Sequence, residues 1–122
     1  MIQVGIDCIE VSRFNDFTKD KSIDKIFTEN EKSYCLAKSL PEQHFAVRFA
    51  AKEAIIKAFF AHDIALNVSK IEILNDSSGV PFANILLSPY IDYNISISLT
   101  HTKEIAMAVA LISAPKPLIS SH

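Results

Sequence analysis

Apolar residues alternate with other residue types at the start of the chain. Ile2, Val4 and Ile6 are separated by single residues, which is the period of a β-strand with one buried face. We predict a first strand that buries these three side chains and ends at Asp7. A carboxylate there is well placed to face a functional site, although an ordinary turn or capping aspartate has the same pattern.

Two helices are predicted next. Ser12 is a suitable N-cap for a short helix through Phe17, with Arg13 exposed and the charged residues 18–22 facing solvent. Residues 28–31 have the T-x-x-E form of a capping box, in which the Thr and Glu side chains each accept a hydrogen bond from the other residue's backbone. We therefore predict that a second helix begins there.

A long helix is predicted over 44–61, with Pro41 and Glu42 in the turn that opens it. At about 100° per residue, the large apolar side chains lie on one arc and the alanines lie roughly opposite, so both sides need to be covered. Glu53 lies close to the apolar arc, where an unpaired carboxylate is costly. The arc contains Phe45, Phe49, Ile56 and Phe60, and the small face contains Ala51, Ala54 and Ala58.

The second half of the chain has the alternation and turn residues that are typical of strands. Helices early and antiparallel strands late predict an α+β domain in which an antiparallel sheet packs against the long central helix. We expect residues 1–122 to form one domain, with 113–122 as a surface tail. The predicted strands are 66–73, 82–87, 94–100 and 104–112, with a turn over 75–81 and a connection over 101–103.

Composition narrows the function classes. The chain has 122 residues, 49% hydrophobic and 21% charged, which is enough for a packed core. The formal net charge of -2 and the lack of a dense basic run argue against a nucleic-acid partner. With only two glycines, the chain has no glycine-rich phosphate loop of the nucleotide-binding kind.

Two further features concern location. No stretch reaches the roughly 18 apolar residues of a membrane span, so we expect no membrane association. Cys8 and Cys35 lie far apart in a chain without a secretory prefix, and we interpret them as reduced, buried thiols. These features favour a cytoplasmic protein.

Two carboxylates are candidate metal ligands. Asp7 and Glu53 come from different elements, and together they would offer hard oxygen ligands to Mg²⁺, which often uses one or two carboxylates and leaves positions for water and phosphate. The alternative for Glu53 is an ion pair with Lys57 one helical turn away, which would contribute a few tenths of a kcal/mol if exposed.

Nearby cations fit the metal hypothesis. Arg48, Lys52 and Lys57 could neutralise charge on phosphoryl oxygens, or they could simply solvate the edge of the helix. His101 lies in a connection between strands, where a histidine is either a turn residue or a candidate for proton transfer.

The residues resemble those of holo-acyl carrier protein synthase, the small class of 4'-phosphopantetheinyl transferase. The resemblance runs in order from about residue 2 to residue 112. RFAAKEA together with the downstream THTKE is a specific combination. The matching segments are Gly5-Ile6-Asp7 with Glu10 and Arg13, 27–31 (FTENE), 48–54 (RFAAKEA) with Lys57 and Ala58, 79–81 (GVP), and 96–104 (SISLTHTKE) with Ala106.

The resemblance implies an activity and an assembly. The expected reaction is Mg²⁺-dependent transfer of the 4'-phosphopantetheine group of coenzyme A to a serine of apo-acyl carrier protein, releasing adenosine 3',5'-bisphosphate. The expected assembly is a homotrimer with active sites between protomers. The alternative is a non-catalytic homologue that binds coenzyme A or a carrier protein.

The resemblance also implies roles for individual residues. Asp7 and Glu53 would hold Mg²⁺, and Lys57 would steady the phosphates or protonate the leaving group. His101 would contact the phosphate region of coenzyme A. Asp7, Glu53, Lys57 and His101 make up the implied catalytic set.

Three further positions follow from the same match. Arg48 and Lys52 are the implied neighbours of coenzyme A, and Arg13 would meet the acidic helix of the carrier protein. Where the family usually has a glycine-containing loop, this chain has residues 60–64 without glycine. Because glycine permits close approach and unusual backbone angles, we predict a differently shaped coenzyme A pocket here.

Overall fold

The computed structural model describes residues 1–16 and 21–117. Within these residues, five strands and three helices follow one another in the α+β order that the sequence predicts. Short 3-10 turns cover Val11–Phe14 and Val68–Lys70. The elements are β1 (Gln3–Glu10), α1 (Ile23–Ile26), α2 (Glu29–Leu36), α3 (Pro41–Phe60), β2 (Ile71–Asn75), β3 (Pro81–Ile85), β4 (Asn94–His101) and β5 (Ile105–Ser113).

The strands form two antiparallel sheets. The larger sheet has the order β1-β5-β4, and β2 pairs with β3 in a separate hairpin. Helix α3 packs across the larger sheet, mainly against β1 and β5. The predicted antiparallel strands on a long helix are therefore confirmed, and the division into two sheets is an addition to that prediction.

Strand β1 faces the opposite way from the prediction. Val4 and Ile6 are 61% and 58% exposed, whereas Gly5 and Ile9 lie on the buried side. The strand also continues to Glu10, so Asp7 lies within it and not at its end. A period of two shows that a strand has two different faces, but it does not show which of them meets the helix.

Backbone contact between β1 and α3 explains this orientation. A Cβ atom on Gly5 would lie 1.8 Å from the carbonyl oxygen of Ala54 and 2.9 Å from the backbone nitrogen of Ala58. Only glycine on the strand lets the helix approach this closely. The predicted alanine face of the helix is thus the face that lies against β1.

The starts of α2 and α3 form as predicted. Thr28 Oγ1 accepts a hydrogen bond from the Glu31 backbone N–H at 3.3 Å, and Glu31 Oε1 accepts one from the Thr28 N–H at 2.8 Å. The capping box is therefore confirmed. Pro41 opens α3, with Glu42 in its first turn.

A buried ion pair joins α3 to α2 and β2. Lys52 Nζ lies 2.7 Å from Glu31 Oε1, and both side chains are fully buried. Lys52 also donates to the carbonyl oxygen of Ile26 at 2.6 Å, while the backbone N–H of Ile73 donates to Glu31 Oε2 at 2.8 Å. A buried ion pair is tolerated when further hydrogen bonds satisfy its atoms, and these contacts do so for the Glu31 carboxylate.

The end of α3 reverses without a glycine. The N–H of Ile64 donates to the Phe59 carbonyl at 3.1 Å, and the N–H of Asp63 donates to the Phe60 carbonyl at 2.9 Å. These are the two bonds of a Schellman motif. Asp63 has a φ of 60°, the left-handed conformation that glycine adopts most easily. The side chain of Phe60 remains exposed.

Other local predictions have mixed outcomes. Ser12 does not cap a helix, because the 3-10 turn already begins at Val11 after Glu10. The predicted end of that helix at Phe17 and the segment 18–20 lie outside the described residues, as do residues 118–122 of the predicted tail. Cys35 is buried as expected, but Cys8 is exposed. No helix within the described ranges is long and apolar enough to cross a membrane.

Candidate active site

Three of the candidate residues meet where α3 crosses β1. Lys57 Nζ lies 3.0 Å from Asp7 Oδ1 and 2.9 Å from the carbonyl oxygen of Ile6. The Asp7 side chain is 17% exposed and that of Lys57 is 55% exposed. Asp7 is two residues from both Gly5 and Ile9, so it lies on the same, helix-facing side of β1. The site is thus a carboxylate and an ammonium at the mouth of a strand-helix crossing.

Glu53 belongs to the same group. Burial raises the pKa of Glu53 above its ordinary value, and the Asp7 carboxylate raises this pKa further, while Lys57 and Arg13 act in the opposite direction. A neighbouring like charge has this effect only when the two carboxylates are close. The structure therefore brings Asp7, Glu53 and Lys57 together.

The simple ion-pair alternative for Glu53 is wrong. Lys57 uses its ammonium group on Asp7 and on the backbone of Ile6, and it makes no ion pair with Glu53 in the described structure. Glu53 therefore stays half-buried without a salt bridge. A half-buried carboxylate without a salt bridge is stabilised by protonation or by a bound cation.

The donor set fits a hard divalent cation. Asp7 and Glu53 offer carboxylate oxygens that repel each other, and a cation between them would remove that repulsion. Mg²⁺ typically takes one or two protein carboxylates and keeps its other positions for water or phosphate. No group of three or more His, Cys, Asp or Glu side chains suited to a metal is found in the described parts of the chain.

Arg13 lies at the edge of this group. Its guanidinium carbon is 5.8 Å from the centre of the Phe49 ring, and its charge reaches Glu53. The residue is exposed, as the sequence predicts. Arg13 therefore offers a positive charge on the rim of the site.

His101 lies in a second group at the other end of α3. It is on the inner face of the larger sheet, as Asp7 is, but two strands away across β5. Its ring centre is 6.0 Å from that of His44. At 1.5 Å per residue, His44 is about 14 Å from Glu53 along the helix axis. No hydrogen bond, ion pair or ring contact joins the two groups within the described residues.

Two expected coenzyme A neighbours are buried within the protomer. Arg48 is 2% exposed and Lys52 is 0% exposed. Lys52 is held by Glu31 and by the backbone of Ile26, and burial lowers its pKa. The charged end of the Lys52 side chain therefore turns away from the protomer surface and lies against α2.

Sequence reasoning did not single out His44 or Tyr34. The ring centres of these residues are 6.0 Å apart, and the Arg48 guanidinium carbon lies 4.2 Å from the Tyr34 ring centre. The spacing of four residues between His44 and Arg48 on one helix was a usable signal, since it places both on one face. The contact of Tyr34 comes from another helix, and no local pattern predicts it.

Comparison with known proteins identifies the family of the chain. The sequence profile of the 4'-phosphopantetheinyl transferase superfamily matches residues 3–110. The chain is 39% identical over 121 residues to a holo-[acyl-carrier-protein] synthase of Chloroherpeton thalassium, covering 94% of this chain and 100% of that protein. It is 36% identical over 120 residues to one from Protochlamydia amoebophila, covering 91% and 97%.

A solved structure shows the same fold. The crystal structure of a holo-(acyl-carrier-protein) synthase from Bacillus anthracis in complex with CoA (3',5'-ADP) superimposes with a TM-score of 0.75 at 30% identity. The match covers 93% of this chain and 96% of that one. The profile, the curated relatives and the solved structure therefore place the chain in the 4'-phosphopantetheinyl transferase superfamily, within the holo-[acyl-carrier-protein] synthase family.

Proposed function

We propose that this protein transfers the 4'-phosphopantetheine group of coenzyme A to a serine of apo-acyl carrier protein. The observation that carries the proposal is the convergence of Asp7, Glu53 and Lys57 at the crossing of β1 and α3, in a chain of the synthase family. The serine oxygen forms a bond to phosphorus, and the bond from phosphorus to the bridging oxygen breaks. Adenosine 3',5'-bisphosphate leaves.

Asp7 and Glu53 are the proposed Mg²⁺ ligands. When bound, the ion would neutralise charge on the pyrophosphate of coenzyme A. The carboxylates would supply the negative charge that holds it, and the repulsion of Glu53 by Asp7 would be relieved by a cation. A carboxylate of this site is also the proposed acceptor of the serine proton.

Lys57 is proposed to act on the phosphates. Its ammonium is half-exposed at the mouth of the site, where it already lies within 3.0 Å of Asp7. An ammonium in this position can hold the transferred phosphoryl oxygens or give a proton to the departing phosphate. Arg13, on the rim, is proposed to meet the acidic surface of the carrier protein and so to speed encounter.

The proposed assembly is a homotrimer. On β1 and β5, the outer face of the larger sheet exposes large apolar side chains, which is unusual for a surface that stays in water. A neighbouring copy would cover this face. Its exposed side chains include Ile2, Val4, Ile6, Met107 and Leu111.

Such an assembly would also account for the separation of the two groups. His101 is proposed to act on the phosphate region of coenzyme A, but no contact joins it to Asp7 within a protomer. An active site between copies would combine the Asp7 group of one protomer with the His101 group of its neighbour. Arg48 is then proposed to act from the interior of the protomer, behind His44 and His101. Lys52 is proposed to hold α3 in place. The cytoplasmic location stays a prediction from the sequence.

The main argument for the non-catalytic alternative is weakened. It rested on the missing glycines of residues 60–64, yet Asp63 takes the left-handed conformation at the end of α3. The chain reversal that glycine would permit is therefore present. The exposed Phe60 still gives this loop a different surface.

Incubation with coenzyme A, Mg²⁺ and an apo-acyl carrier protein tests the proposal, with the mass of the carrier as the readout. We expect the carrier to gain the mass of one phosphopantetheine group, and we expect chelation of Mg²⁺ to stop the gain. An unchanged mass with several carriers, under conditions where coenzyme A binds tightly, would instead establish the non-catalytic alternative.

A further inference from the structure

Phe60 lies exposed on the last turn of α3, in line with the candidate active site. Its side chain is 70% exposed, and no other ring contacts it within the described residues. At about 100° per residue, Phe60 lies roughly 20° around the helix from Glu53 and roughly 60° from Lys57. Glu53, Lys57 and Phe60 therefore share one side of α3.

The backbone around Phe60 is fixed. The preceding residue, Phe59, is fully buried, and its ring centre lies 4.7 Å from that of Tyr93. The carbonyl oxygen of Phe60 accepts a hydrogen bond from the N–H of Asp63 at 2.9 Å. Because Cα–Cβ bonds in a helix tilt toward its N-terminus, the side chain of Phe60 leans back toward Lys57. Phe60 is thus apolar surface at a fixed place beside the site.

The chain just beyond Lys57 carries little positive charge. No Lys or Arg occurs in residues 58–69, and Asp63 adds a negative charge on the surface. The ring of His62 lies against Tyr93, with its Nδ1 3.4 Å from the hydroxyl oxygen. A phosphate group gains little from this part of the chain, whereas an uncharged apolar group gains by covering Phe60.

We propose that Phe60 binds the pantoate unit of coenzyme A, the uncharged part next to the pyrophosphate that carries two methyl groups. A single methylene group separates the phosphate ester oxygen from the carbon that bears these methyls. Along the helix axis, Phe60 lies only about 4.5 Å beyond Lys57. With the pyrophosphate at Asp7, Glu53 and Lys57, the methyl groups therefore come within reach of the Phe60 ring.

This assignment makes Phe60 a residue that distinguishes coenzyme A from its nucleotide part. The assignment rests on the proposed function for the position of the pyrophosphate. It does not follow from the family resemblance, because residues 60–64 are where this chain departs from it. An apolar contact that removes about 50 Å² from water corresponds to roughly a tenfold change in affinity, which sets the effect to be measured.

The first test measures binding of coenzyme A and of adenosine 3',5'-bisphosphate by calorimetry, with Mg²⁺ and without carrier protein, so that no transfer consumes the ligand. Phe60→Ala should weaken coenzyme A binding by about tenfold and leave binding of the bisphosphate, which has no pantoate, unchanged. Equal weakening of both ligands would place the ring against the nucleotide and overturn the assignment. Unchanged binding of both would overturn it as well.

Phe60→Leu is the matched control. A leucine keeps an apolar side chain at this position, so it should retain most of the affinity for coenzyme A. Stacking on the adenine base would instead require an aromatic ring. A loss for Phe60→Leu as large as that for Phe60→Ala would therefore contradict a contact with methyl groups.

The second test uses a coenzyme A analogue that lacks the two methyl groups of pantoate. Removing the methyls should weaken binding to the unmodified protein and have little effect on binding to Phe60→Ala, because their partner is already absent. An equal effect of the methyls in both proteins would show that they lie elsewhere, and it would overturn the assignment.

Light scattering and thermal unfolding complete the comparison. Because Phe60 is exposed, Phe60→Ala should keep the oligomeric state and the melting temperature of the unmodified protein. Dissociation of the variant would show that the ring lies against a neighbouring copy, and the assignment would fail. A protein that binds as expected but transfers nothing to a carrier would disprove the proposed function alone. Normal transfer with equal effects of Phe60→Ala on both ligands would disprove the pantoate assignment alone.

Discussion

The backbone of Ala54 lies so close to Gly5 that a methyl group on the glycine would stand 1.8 Å from the Ala54 carbonyl oxygen. Asp7 follows two residues later on the strand, and Glu53 precedes Ala54 on the helix. The contact between the two backbones therefore sets the separation of the two proposed metal ligands.

Gly5→Ala should destabilise the protein strongly, because the methyl group meets backbone atoms that cannot rotate away. We expect a loss of about 3 kcal/mol or more, measured by denaturant unfolding. Gly79→Ala is the matched control: Gly79 has a φ of 85° with nothing near its Cβ position, so only backbone strain of about 1 kcal/mol is expected. Equal losses in the two variants would contradict the proposed steric cause.

Asp63→Gly should stabilise the protein. Asp63 holds a φ of 60°, which costs a residue with a Cβ atom roughly 1 kcal/mol and costs glycine little. We expect a gain of about 0.5–1 kcal/mol in the free energy of unfolding. Asp63→Ala keeps the Cβ atom and serves as the control, for which no gain is expected. Destabilisation by glycine would show that the Asp63 side chain is needed for the turn.

Glu53→Gln should raise the melting temperature at neutral pH while it removes activity. The folded-state pKa of Glu53 is raised, so ionisation costs more in the folded than in the unfolded chain. The folded state is favoured below the unfolded pKa, and that advantage is lost as the pH rises through the folded pKa. The variant does not ionise and should keep the advantage.

The advantage of Glu53→Gln should therefore disappear in acid, where the glutamate of the unmodified protein is protonated too. Differential scanning calorimetry between acid and neutral pH, without Mg²⁺, provides the measurement. A melting-temperature difference that does not change with pH would contradict the electrostatic explanation. Mg²⁺ should raise the melting temperature of the unmodified protein and not that of the variant.

Lys52→Met should cost about 3–5 kcal/mol of stability, since it leaves the Glu31 carboxylate buried without its cation. Thermal and denaturant unfolding would measure the loss. Lys32→Met is the matched control, because Lys32 contacts Asp24 and Glu29 at 2.6 Å on the surface and should change stability little. A similar effect of both variants would argue against a special role for the buried pair.

Mixed oligomers test the proposed site between protomers. Asp7→Asn and His101→Ala should each inactivate the enzyme. When the two variants are unfolded and refolded together, some sites should combine an intact Asp7 with an intact His101 from different copies. With random mixing in a ring of copies, we expect activity to return to about a quarter of the normal value. Simple mixing without refolding is the control, and no recovery after refolding would place the whole site within one protomer.

Local signals predicted the parts of this fold that local chemistry determines. The capping box at Thr28 and the helix start at Pro41 depend on residues within one turn, and both are confirmed. The orientation of β1 was predicted the wrong way round, because the decisive contact of Gly5 is with a helix about fifty residues later in the chain.

The candidate site was likewise predicted only in part. Asp7, Glu53 and Lys57 were identified from residue type and family resemblance, and the structure brings them together. The partner of Lys57 was not predictable from helical spacing, since a strand-borne Asp7 competes with Glu53 for its ammonium. Lys52 and Arg48 resemble surface cations in sequence, but their hydrogen-bond partners, Glu31 and Asn75, lie on other elements.

The side chain of Glu31 has a wider consequence for how the molecule unfolds. One carboxylate bonds to the start of α2, to Lys52 on α3 and to the backbone of β2 at Ile73. The β2–β3 hairpin shares no ladder with the larger sheet, so on sheet pairing alone it would open independently. Because this carboxylate bonds to the hairpin and to both helices, opening of the hairpin exposes the Glu31 charge. We therefore expect the hairpin and the rest of the molecule to exchange their amide hydrogens as one cooperative unit.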